Sequence, residues 1–185
     1  MHSLKTAGYI AFSAILFLAL TLTTCTDPNR LLWDAVDAGN PEAAAAALEK
    51  GADIETRAYG PGDNTPLSEA VRKNDLAMVR LLIAKGANVE GPTPLLPGPL
   101  LMACLSKNEE IARALVGGGA NPNVVVLGNS PLSVAVSDRN ASLVKFLLLH
   151  GADPDLPTGH DSPRSIAERR GDTEIIRILT AATVR

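Results

Sequence analysis

The sequence predicts an all-α solenoid of five stacked helix-turn-helix units, and three observations carry that reading. An opening motif recurs: Thr65-Pro66-Leu67 with Ala70, Gly98-Pro99-Leu100 with Ala103, Ser130-Pro131-Leu132 with Ala135, and Ser162-Pro163 with Ala167. A closing motif recurs in the same phase, as Gly51-Ala52-Asp53, Gly86-Ala87-Asn88, Gly119-Ala120-Asn121 and Gly151-Ala152-Asp153, at intervals of 35, 33 and 32 residues. Aromatic residues make up only 3% of a chain that is 46% hydrophobic, which suits many small Ala/Leu/Val interfaces rather than one core built on rings. A pair of short helices cannot bury its apolar faces alone, so each unit must stack on a copy of itself.

The Thr-Pro-Leu opening and Gly-Ala-Asp/Asn close, at a period of about 33 residues, resemble the ankyrin repeat. The resemblance covers about five sixths of the chain, with units at about 30–53, 54–88, 89–121, 122–153 and 154–185. It implies an ankyrin-repeat solenoid joined by hairpin-like finger loops. It also implies a non-catalytic module that binds another protein through its fingers and a concave face lined by the first helices.

The chain opens differently. His2 and Lys5 precede an uncharged run from Thr6 to Thr26, most apolar over Tyr9 to Leu22. A basic start before such a run has the form of a secretory signal, and the length also allows an uncleaved anchor. Residues 1–25 are therefore expected to be a signal outside the repeat fold, with 26–29 a short linker. Leu22-Thr23-Thr24-Cys25 resembles the bacterial lipobox, except that Thr24 stands where Gly or Ala is usual. Lipidation at Cys25, cleavage nearby and retention as an anchor are the three outcomes. The first adds about 0.8 kcal/mol of membrane affinity per buried methylene. The chain is read as exported to the periplasm or cell envelope and tethered there.

Within each unit the first helix starts at a cap followed by proline, the residue best suited to the first helical position. The first copy lacks that proline and begins near Leu32 and Ala35. Each second helix follows an Asn or Asp cap: Asn40, Asp75, Asn108, Asn140 and Asp172. The residue before each cap, Gly39, Asn74, Lys107, Arg139 or Gly171, is expected in a left-handed conformation, which strains lysine and arginine. Arg80, Arg113, Lys145 and Arg177 share one position of the second helix and read as a solvated convex row, their repulsion largely screened.

The fingers individualise the protein. The first, 53–64, carries Arg57, Tyr59 and the turn formers Gly60 to Asp63. The second contains Pro92, Pro94 and Pro97, which remove ladder donors and argue against a regular hairpin. The third presents Val124-Val125-Val126-Leu127, apolar on both faces, which either packs beneath a neighbour or forms part of a docking surface. At the ends, the first unit uses Ala43 to Ala47, strong helix formers that need little depth, and the last replaces apolar positions with Glu168, Arg169 and Arg170, as solenoid caps should.

A net charge of −3 argues against nucleic-acid partners. Two cysteines are too few for a disulfide framework, and Cys104 falls on a core position. His150 ends a helix, where capping is its role. His160 stands near Asp155 and Asp161 without the second His or Cys a metal site needs. No phosphate loop or nucleophile elbow is present, so neither catalysis nor a cofactor is expected. The residues expected to meet a partner are Arg57, Tyr59, Glu69, Arg72, Lys73, Met102, Leu105, Val125, Leu127, Ser137 and Asp138. Together they form an apolar middle with charged ends, similar to an interface core within a polar rim. Ordinary packing between units is the alternative for Met102, Leu105 and Val134. A monomer is expected, as a protein-binding module of the bacterial envelope, with a ligand-free protective scaffold or a toxin-neutralising role as alternatives.

Overall fold

The computed structural model describes residues 27–57, 64–91 and 96–183. Cys25, Tyr59, Pro92 and Pro94 lie outside the described residues. These hold ten α-helices and no strand, paired as five helical hairpins. In chain order they are α1 Pro28–Ala38, α2 Pro41–Glu49, α3 Pro66–Arg72, α4 Leu76–Ala84, α5 Pro99–Leu105, α6 Glu109–Gly117, α7 Pro131–Ser137, α8 Ala141–Leu149, α9 Pro163–Arg170 and α10 Thr173–Thr183. First helices pack on first helices in an unbroken row from α1 to α9. Second helices pack likewise, α2 on α4, α4 on α6 and α8 on α10.

The prolines explain the phase. Pro66, Pro99, Pro131 and Pro163 each open a first helix, where the missing N–H costs nothing. The first unit departs from expectation. Its helix opens one turn early at Pro28, with the Asp27 carboxylate accepting from the Asn29 N–H, so Pro28 and Asn29 are helical rather than linker. Every second-helix cap forms as expected, the side chains of Asn40, Asp75, Asn108, Asn140 and Asp172 accepting the N–H three residues on. The tight turn before each cap puts Gly39, Asn74, Lys107, Arg139 and Gly171 at φ 63°, 57°, 58°, 56° and 65°.

The position two residues after each opening proline forms a second cap. Ser133 Oγ accepts from the Ser130 N–H at 2.8 Å and donates to the Ser130 carbonyl at 2.9 Å, and Ser165 repeats this with Ser162. Leu101 stands there in the third unit, buried, and α5 starts without a side-chain cap because Gly98 precedes its proline. A Cβ at Gly98 would lie 2.6 Å from the Glu90 carbonyl oxygen, so the threonine or serine used elsewhere has no room.

Leu32, Leu67, Leu100 and Leu132 from the first helices join Leu82, Leu115, Leu147 and Leu179 from the second in one continuous apolar core. Burying each contributes roughly 1.5–3 kcal/mol, most of it available only between units. A polar ladder fixes the register along one edge. Asp53, Asn88, Asn121 and Asp153 each accept, through the side chain, the N–H two residues on. The N–H groups of Asn88, Asn121 and Asp153 donate to Glu55, Glu90 and Asn123, the side chains just after the previous close, while that of Asp53 donates to Asn29 at the start of its own hairpin.

Lys107→Gly removes a left-handed lysine. Its exposed ion pair with Asp138 is worth little, so denaturant unfolding should show a gain of about 0.5–1 kcal/mol.

Candidate functional site

The first-helix face carries the charged residues expected to meet a partner, and the structure binds most of them to one another. Glu69 is buried at 6% exposure. It accepts from Arg72 Nε at 2.8 Å, and Lys73 Nζ lies 3.8 Å away. Lys73 reaches back to the first unit, to Asp37 Oδ1 at 2.7 Å and the Asp37 carbonyl at 2.9 Å. Lys107 meets Asp138 at 2.9 Å, Arg139 meets Asp172 at 3.5 Å, and Arg170 donates to the Ser137 carbonyl. Glu69 thus has almost no surface to offer a partner. Lys73, Ser137 and Asp138 join neighbouring units through the same atoms a partner would have to engage.

These pairs leave a signature in the carboxylates. The hydrogen bond from Arg72 holds Glu69 below its ordinary value against the opposing effect of burial. Burial alone would raise Glu109, yet hydrogen bonds from Arg113, Asn140 and Ser142 outweigh it and lower the group. Two of those donors belong to the next unit, and the Arg113 guanidinium also lies 4.3 Å over the Phe146 ring. One residue of the expected convex row is therefore fixed in place, while Arg80, Lys145 and Arg177 are exposed.

The apolar positions divide. Val134 is buried at 8%, and Met102 packs against the core, so both serve stacking. Leu105 stays 50% exposed, Val125 41% and Leu127 82%, with Leu96 of the second finger at 55%. The packing reading of the valine run holds for Val126, which lies against the core, while Val125 and Leu127 are exposed. The fingers make no hairpin ladder among the described residues, only isolated bridges at Val126–Asn129 and Thr158–Asp161. Val126 and Asn129 exchange N–H···O bonds of 2.9 and 3.0 Å around Leu127 and Gly128, at φ 51° and 74°. Two central residues at positive φ define the tight turn that favours Asn-Gly. A leucine there is strained and, in this protein, fully presented. Behind it, between the second and third fingers, Val89, Leu96, Leu100, Val124 and Val125 help line a cavity of about 380 Å³.

Burial pushes the Cys104 thiol up to about 12, far from a reactive thiolate. His150 Nδ1 lies 2.8 Å from the Phe146 carbonyl, with the two rings 4.1 Å apart. Asp155 and Asp161, the carboxylates beside His160, are paired with Arg164 at 2.6 Å and Arg169 at 2.7 Å. No group of three or more metal-ligating side chains is gathered among the described residues. No helix among them is long and apolar enough to cross a membrane. Arg57, at the start of the first finger, is exposed.

The family model for ankyrin repeats (3 copies) matches residues 32–125 and again 95–158, and the chain belongs to the ankyrin repeat family. Ankyrin repeats generally mediate protein–protein interaction and are typically non-catalytic. No curated protein matches the chain.

Two signals escaped the sequence reading. The Asx-x-Glu/Asn spacing after each Gly-Ala close, visible at Asp53/Glu55, Asn88/Glu90 and Asn121/Asn123, marks the register ladder. Trp33 occupies the helix position held elsewhere by Ser68, Ser133 and Ser165, and its buried Nε1 has no hydrogen-bond partner among the described residues.

Glu69→Gln should lower stability by about 1 kcal/mol at neutral pH, a value discounted because Arg72 is more than half exposed. Glu69 has a lowered folded pKa, so its contribution is present above the unfolded value near 4.5 and fades as pH falls through the folded one. Urea midpoints of wild type and Glu69→Gln should therefore converge in strong acid.

Proposed function

We propose that the protein is a non-catalytic binding module of the bacterial cell envelope that grips another protein through its finger loops and concave first-helix face. The observation that carries this is Leu127, 82% exposed in a left-handed backbone conformation. A strained, solvent-facing leucine costs stability twice, in backbone energy and in exposed apolar surface, and gains nothing for the fold. Val125 beside it and Leu105 on the first-helix face extend the apolar middle. Arg57 of the first finger and Arg72 of the second unit supply its rim.

The envelope location rests on the sequence from His2 to Cys25: a basic start, an uncharged apolar run, and a cysteine in lipobox-like context. In this reading the chain is exported and held at a membrane through an acylated Cys25. The face has no feature that selects between capturing a dedicated partner and neutralising a toxin. A ligand-free protective scaffold is the reading that the exposed Leu127 disfavours.

Leu127→Asn separates stability from binding. Asparagine suits the turn, so unfolding should be harder by about 1 kcal/mol, while a photocrosslinker at Val125 should yield far less adduct to its envelope partner than in wild type. Equal stability and unchanged crosslinking would contradict the assignment of this finger. The mass of the mature N-terminus should show a diacylated or triacylated Cys25; an intact Met1 would refute acylation, and an unmodified cleaved N-terminus would refute the tether.

A further inference from the structure

On the second-helix side, α8 and α10 enclose an apolar groove of about 600 Å³. Leu148, Leu149, Ile178, Ala181 and Ala182 form its floor, and Lys145 and Arg177 flank it. Leu149 is 71% exposed. No carboxylate lines the groove, and neither cation has an ion-pair partner among the described residues. Lys145 and Arg177 hold equivalent positions in adjacent units, where helix axes lie about 8–10 Å apart. The complement of such a groove is a slender helix with two carboxylates about 10 Å apart and only small side chains between them.

The chain contains that helix. On α2, Glu42 and Glu49 are both exposed and sit seven residues apart, two turns on one face, or about 10.5 Å at 1.5 Å per residue. Ala43 and Ala46 are exposed between them, and alanines allow close approach to an apolar floor. Neither glutamate has an ion-pair partner among the described residues. Because α2 belongs to the first hairpin and the groove to the last two, the two surfaces cannot meet within one molecule.

We propose that α2 of one copy lies across the α8–α10 groove of a second copy, with Glu42 and Glu49 facing Lys145 and Arg177 and Ala46 over the leucines. This contact is independent of the concave face and departs from the monomer expected from sequence. It buries one short helix, so its affinity falls at the weak end, about 10–100 µM, and it weakens with salt. The two surfaces differ, so the association is head-to-tail and extends beyond dimers as concentration rises.

Sedimentation velocity on the full chain, in a non-ionic detergent that masks the apolar segment at 6–22, tests the contact at low salt. The wild-type mass should rise between about 5 and 200 µM, and both Glu42→Lys/Glu49→Lys and Lys145→Glu/Arg177→Glu should require about tenfold higher concentration. An equimolar mixture of the two variants should recover association, because each then presents the other's complement. Unchanged helical signal in circular dichroism verifies that both variants fold. A wild type that stays monomeric, variants that associate as it does, or a mixture that fails to recover would each overturn the proposal. Weakening in the groove variant alone would identify a different acidic occupant and overturn the second-copy assignment.

Discussion

Every layer of this protein is half of an interface. A hairpin of one seven-residue and one nine-residue helix carries apolar side chains on faces it cannot fold over, and only the next hairpin covers them. Leu67, Leu82, Leu100 and Leu115 reach full or near-full burial because layers repeat at a fixed distance. The distance is held by polar groups as much as by packing. Each Gly-Ala-Asx close after the first offers one N–H to the side chain that follows the previous close, so a slip in register would leave a row of donors without acceptors. Shape and polarity thus agree on a single stacking.

The same logic governs the concave face. Lys73 with Asp37, Lys107 with Asp138, and Arg139 with Asp172 span neighbouring layers, so charges that look available in the sequence are spent on cohesion. Of the exposed large apolar side chains, Leu96, Val125 and Leu127 lie at the fingers, Leu105 on the first-helix face and Leu149 on the second-helix side. Leu127 concentrates the contrast. The stack would be better served by asparagine at that turn, yet an exposed leucine stands there at positive φ.

Features fixed by one residue's backbone preference were legible in the sequence. The opening prolines, the Asn and Asp caps, and the left-handed Lys107 and Arg139 all follow from local geometry repeated in phase. The missed features depend on neighbours. Glu69 precedes Arg72 and Lys73 at helical spacing, which suggests pairing, but its burial is set by how the next unit lies against it. Pro28 starts α1 one turn before the repeat pattern predicts, and the pattern itself argued for a linker. The positive φ of Leu127 runs against leucine's preference, and Gly128 was the single local clue.

Native-state hydrogen exchange tests the stacking account most directly, because protection in a one-dimensional array depends on neighbours. Amides of α5 and α6, covered on both sides, should exchange slowest. Protection should fall toward α2 at one end and α10 at the other, so the profile peaks at the centre. Slowest exchange in a terminal hairpin would show that layers hold themselves together and contradict the account.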